Sequence, residues 1–124
     1  MLSLHGEAMA ITNLADLRID PSLRAALKAV RDRLTAQFDV DRIVIFGSAV
    51  WGTRDEESDV DMLIVLKERP DLATEDRISQ VIFEINLDYD TNLSEMIVDC
   101  YTWDYGVASA MPIHEEIEKR GIRL

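Results

Sequence analysis

The chain has one cysteine, three prolines and five glycines in 124 residues, and each scarcity removes a class of protein. A lone Cys100 cannot form an internal disulfide, so stability has to come from packing, and a small thiol of this kind is expected in the interior. So little proline and glycine excludes a collagen-like or low-complexity chain. No apolar run approaches the roughly 20 residues that span a bilayer. The first twenty residues lack the basic start and apolar block of a secretory signal, so a cytoplasmic protein with no membrane partner is expected. Positive charge is scarce too: 13 Lys and Arg stand against 24 Asp and Glu, a net charge of −11. Proteins that grip DNA or RNA along the phosphates need a basic face. Here the cations are scattered, mostly over residues 21–38, and no long nucleic acid is expected as substrate.

What remains is ordinary for a globular protein: 48% hydrophobic and 30% charged residues, enough for one domain over residues 1–124 with a core of its own. Residues 1–16 are weakly patterned and are expected to be mobile or to pair with a partner. Asp20-Pro21 supplies an N-cap and a first-turn proline. Leu23, Leu27, Val30, Leu34 and Phe38 follow at helical spacing, which predicts a helix over 21–38. A short apolar strand is expected over 42–46, a tight turn over 47–52, an acidic loop over 53–58, and a second strand over 59–66. That second strand is apolar on both faces and hence central. A helix over about 74–87 carries Ile78, Val81, Ile82 and Ile85 on one face. An extended segment over about 89–101 follows, then a turn-rich piece over 103–110. Pro112 opens a last helix that points Ile113 and Ile117 inward and ends at Gly121. Met96, Met111 and the remaining aromatic residues are expected in the core, with His114 on the polar side of the last helix. Strands alternating with helices imply a mixed α+β domain built in layers.

The chemistry is concentrated between residues 42 and 66. An apolar strand ends in Gly47-Ser48, and ten residues later Asp59 and Asp61 open the next one. Two carboxylates about 5 Å apart at an effective dielectric near 20 repel by roughly 3 kcal/mol, a cost that a divalent cation removes. On a strand, residues two apart point the same way, so both acids can converge on metal. Hard oxygen ligands favour Mg²⁺ or Mn²⁺ over zinc. A turn made of glycine and serine suits phosphate: Gly47 lets backbone approach closely, and Ser48 adds a hydroxyl beside the N–H groups of the turn. The combination points to metal-dependent chemistry on a nucleoside triphosphate.

Gly47-Ser48, ten residues, then Asp59-Val60-Asp61 resembles the signature of the DNA polymerase β-like nucleotidyltransferase superfamily, with its minimal nucleotidyltransferase branch nearest in size. The segment from Met111-Pro112-Ile113 to Gly121-Ile122-Arg123-Leu124 is similar to that branch's closing segment. The resemblance implies a small mixed sheet flanked by helices, Mg²⁺ or Mn²⁺, and transfer of a nucleoside monophosphate from an NTP (ATP expected) to a hydroxyl. It implies Asp59 and Asp61 as metal ligands and catalytic residues, with Gly47 and Ser48 as the nucleotide-binding pair. It places a third metal-binding carboxylate on the strand after the following helix. Asp90 is the expected residue and Asp99 its competitor. So small a domain leaves little room for an acceptor pocket, which implies a protein partner or a second copy of the chain. In the branch it resembles, the partner is often a HEPN-type toxin and the minimal protein its antitoxin, some members attaching AMP to the toxin. Arginines common in the family after the Gly-Ser pair are here Ala49 and Trp51, with Arg54 nearby. A protein that neutralises its partner by contact alone is the alternative reading, and an aminoglycoside-like acceptor a third.

Overall fold

A computed structural model describes residues 14–51 and 59–124. The expected acidic loop at 53–58, with Arg54, and nearly all of the weakly patterned start lie outside the described residues. Asp20 accepts a hydrogen bond from the Leu23 N–H at 2.8 Å and Pro21 fills the first turn, so helix α1 runs Pro21–Gln37, as the capping residues dictate. Strand β1 (Val40–Phe46) follows, beginning two residues before the expected start. Gly47 turns the chain into α2 (Ser48–Trp51), one short helical turn. Strand β2 is Val60–Leu66. Helix α3 is Leu72–Tyr89, longer than expected at both ends. Its start is fixed by Asp71, which accepts from the Thr74 N–H at 2.8 Å, a cap that apolar periodicity does not register because Leu72 is exposed.

Strand β3 (Leu93–Asp99), the short helix α4 (Cys100–Asp104), a 3₁₀ turn over Val107–Ala110, helix α5 (Pro112–Arg120) and strand β4 (Ile122–Arg123) complete the chain. Two residues are too few to show a period, and β4 was not expected. The four strands lie in the order β3-β2-β1-β4. β2 runs parallel to β3 and antiparallel to β1, and β4 runs antiparallel to β1. The apolar β2 is therefore central, as its composition requires.

Alternation divides the sheet into two faces. Ile43, Ile45, Val60, Met62 and Ile64 pack with Leu27, Leu34, Ile78 and Ile82 of α1 and α3. Val44, Phe46, Leu63 and Val65 pack on the other side with Trp103, Ala108 and Ile117. Arg33 of α1 meets Glu84 of α3 at 2.8 Å, an exposed pair that adds little beside the apolar contact. Cys100 is half-buried against the second core, and burial together with the Asp41 charge pushes its thiol up, away from the reactive thiolate.

Several expected core residues are not there. Trp103 and Phe46 are buried, but Phe83, Met96, Tyr101, Tyr105 and Met111 are exposed. Phe83 lies on the helix side opposite Ile78, Val81, Ile82 and Ile85, Tyr101 stands on the short α4, which buries only Trp103, and Tyr105 is the residue that caps its end. His114 departs in the opposite sense. It is half-buried, its ring 4.4 Å from that of Trp103, with a buried Nε2 that has no hydrogen-bond partner.

Ile64→Ala should lower the free energy of unfolding by about 2–5 kcal/mol through lost burial and a residual cavity. Phe83→Ala should change it by no more than about 0.5 kcal/mol. Urea denaturation of both variants checks the pair.

Candidate active site

The apolar strands bring the two motifs together. Antiparallel pairing of β1 with β2 sets Phe46, the last residue of β1, opposite Asp61. The next residue, Gly47, therefore stands beside the start of β2. Its φ of +85° lies in the left-handed region that side chains other than glycine rarely adopt. A Cβ placed on Gly47 would sit 2.9 Å from the Asp61 Oδ2. The turn therefore favours glycine, and the absent Cβ leaves the space that the Asp61 carboxylate oxygen occupies. The Gly47 carbonyl accepts from the Val50 N–H at 3.0 Å, closing the turn on which Ser48 is half-buried.

Asp61 is half-buried and Asp59 exposed. Burial and the neighbouring Asp59 charge hold the Asp61 carboxyl above the usual carboxylate range. The fold places two like charges at the mouth of a buried strand, and neither is ion-paired to a Lys or Arg among the described residues. Such a pair, made of hard oxygens and facing a glycine cradle, fits a divalent ion. The strand itself begins at Val60, so Asp59 reaches the site from the residue before it.

The third carboxylate is a different matter. Among the described residues no group of three His, Cys, Asp or Glu side chains could share a metal. Asp90 is exposed and lies at the C-terminal cap of α3 in the left-handed conformation, φ 54° and ψ 54°, and the strand starts only at Leu93. Asp99 is occupied as the cap of α4, accepting from the Thr102 N–H at 3.0 Å and the Thr102 hydroxyl at 2.7 Å, which holds its carboxyl below the usual range. Paired with Leu66, it also lies at the far end of the sheet from Asp61. The β3 residue in register with Asp61 is Ser94, which sequence reasoning did not single out. The signal that finds it is the connection, where Asn86 accepts from the Leu93 N–H at 2.8 Å and donates to the Leu93 carbonyl at 3.1 Å. That clamp fixes where β3 begins.

Comparisons with known proteins show the family. A family model described as a nucleotidyltransferase domain matches residues 23–119, and the chain belongs to that family. It is 43% identical over 58 residues to a candidate protein adenylyltransferase of Methanocaldococcus jannaschii, a match over 47% of this chain and 59% of that relative. The chain thus spans about three-fifths of the length of this relative. A toxin–antitoxin structure with AMP-PNP shares the fold over 78% of this chain and 67% of its own, at 20% identity and a TM-score of 0.50. A candidate nucleotidyltransferase from Sulfolobus solfataricus matches 70% of this chain and 81% of its own, at 18% identity and a TM-score of 0.45.

Two predictions follow from these contacts. Gly47→Ala should destabilise the fold by more than about 1 kcal/mol, since alanine is strained at this φ and its Cβ meets Asp61; thermal unfolding without metal checks it. Asp99→Ala should cost about 0.5–2 kcal/mol as a lost cap. Because the folded Asp99 carboxyl is lowered, its stabilisation is present above the unfolded value of about 3.9 and lost as pH falls through the folded one. The difference from wild type should therefore narrow in acid, as urea denaturation across that range would show.

Proposed function

We propose that the chain is a divalent-metal-dependent nucleotidyltransferase that moves AMP from ATP to a hydroxyl of a partner protein. The observation that carries the reading is the Asp59–Asp61 pair set against the Gly47 turn. In this reading Asp59 and Asp61 hold Mg²⁺ or Mn²⁺, while Gly47 and Ser48 bind the triphosphate. When bound, the ion offsets phosphate charge and makes the acceptor hydroxyl easier to deprotonate. Gly47 keeps the approach to Asp61 open, and the N–H groups and hydroxyl of the turn steady the outer phosphates. The acceptor oxygen bonds to the α-phosphorus as the α–β bridging bond breaks. Pyrophosphate leaves with that electron pair, and the acceptor proton passes to solvent base.

Support for a protein acceptor comes from the relative named for protein adenylylation. Support for an antitoxin role comes from the neighbour's toxin–antitoxin assembly with an ATP analogue, together with the sequence resemblance that implies a HEPN-type toxin. The second reading, neutralisation by contact, is favoured by one observation: no three-acid cluster forms among the described residues.

Incubating the chain with its partner and α-labelled ATP separates the two. The expected outcome is labelled partner that requires Mg²⁺ and falls by about 100-fold or more in Asp61→Asn, since even residues that only support metal ligands are worth 10–100-fold in affinity or activity. Partner inhibition that persists in Asp61→Asn without label would establish contact instead.

A further inference from the structure

We infer that Ser94 makes this a site for one firmly held divalent ion rather than two; the inference rests on the metal-binding reading of Asp59 and Asp61. The parallel register pairs Asp61 with Ser94 directly, on strands about 4.8 Å apart. Both belong to the same face of the sheet. On β2, Leu63 and Val65 pack into the second core, while Met62 and Ile64 pack into the first. On β3, Val98 packs against the second core, while Leu93 and Ile97 belong to the first. By alternation Asp61 and Ser94 share the second face, and Ser94 is exposed there. The Asn86 clamp on Leu93 holds Ser94 at this level.

An acid at position 94 would therefore complete a three-carboxylate cluster, and no other acid of the segment takes that place. Glu95 points to the opposite face, Asp90 ends α3, and Asp99 caps α4 at the other end of the strand. Two carboxylates balance one divalent cation. A second ion beside the first would meet a neutral hydroxyl where a third charge is needed, and so would not be retained even with the triphosphate in place. Position 94 sets the number of ions that the protein retains.

The experiment counts Mn²⁺ bound per chain with a non-hydrolysable ATP analogue at saturation, with electron paramagnetic resonance as the second readout. Two Mn²⁺ ions about 3.5–4 Å apart couple magnetically, whereas a single ion does not. Wild type should hold one uncoupled ion, Ser94→Asp two coupled ions, and Ser94→Ala one. A coupled pair in wild type overturns the inference, as does loss of the ion in Ser94→Ala, which would make the hydroxyl itself a ligand. An uncoupled single ion in a folded Ser94→Asp, judged by circular dichroism, also overturns it. Should Ser94→Asp not fold, the wild-type and Ser94→Ala counts still decide. Mn²⁺ binding that is absent from wild type, or unchanged in Asp61→Asn, is a different failure: it removes the metal site itself.

Discussion

The register between β1 and β2 is the constraint on which the site depends. A strand apolar on both faces has to lie between two neighbours, and β2 does, with β1 antiparallel on one side and β3 parallel on the other. Once Ile43 faces Ile64 and Val44 faces Leu63, Phe46 is obliged to face Asp61. Slipping the pairing by one residue would turn every core side chain to the wrong face. Hydrophobic burial across the sheet therefore holds the glycine turn against the acidic pair. The positions of Gly47 and Asp61 are thus secured by residues that touch no substrate.

The acids themselves oppose the fold. Asp61 is held above the usual carboxylate range by burial and by Asp59, so its ionised form is less at ease in the folded chain than in water. A large apolar core on both sides of β2 offsets that penalty. A left-handed turn that favours glycine at position 47 and local repulsion at Asp61 fall in adjacent positions, where the candidate site meets the packed scaffold. A cation entering there would relieve the repulsion and so stabilise the folded form by linkage.

Much of this was legible in the sequence, for reasons that can be stated. Asp20-Pro21 marks the start of α1 by capping chemistry, and the doubly apolar β2 declares its central place. Glycine-serine followed by Asp59 and Asp61 points to the candidate site, because unpaired acids are costly at the mouth of a buried strand. What was not legible depends on long-range pairing. Ser94 is an unremarked serine until the parallel register with Asp61 is known. Asp90 follows the helix at once and so looks like the third acid, yet it is the left-handed cap of α3 and stands before the strand begins at Leu93. Phe83, Met96 and Tyr101 look like core by residue type alone, and only the direction of their helix or strand shows that they face outward. His114 was misplaced for the converse reason, since its neighbour Trp103 comes from a different helix.

The short β4 has a consequence for how the molecule assembles. It is the last element in sequence, and it pairs with the first strand, through Val44 with Arg123 and Ile45 with Ile122. Among the described residues no other strand pairing joins residues so far apart in sequence, so it carries the largest loop-closure entropy and gains only two residues of ladder in return. The central β1–β2–β3 unit can form from nearer neighbours, while the β1–β4 margin closes only by bringing together residues 44–45 and 122–123. The same margin is then the natural place for the sheet to breathe, at the opposite edge from β3, so that fraying there leaves the Asp61–Ser94 register undisturbed.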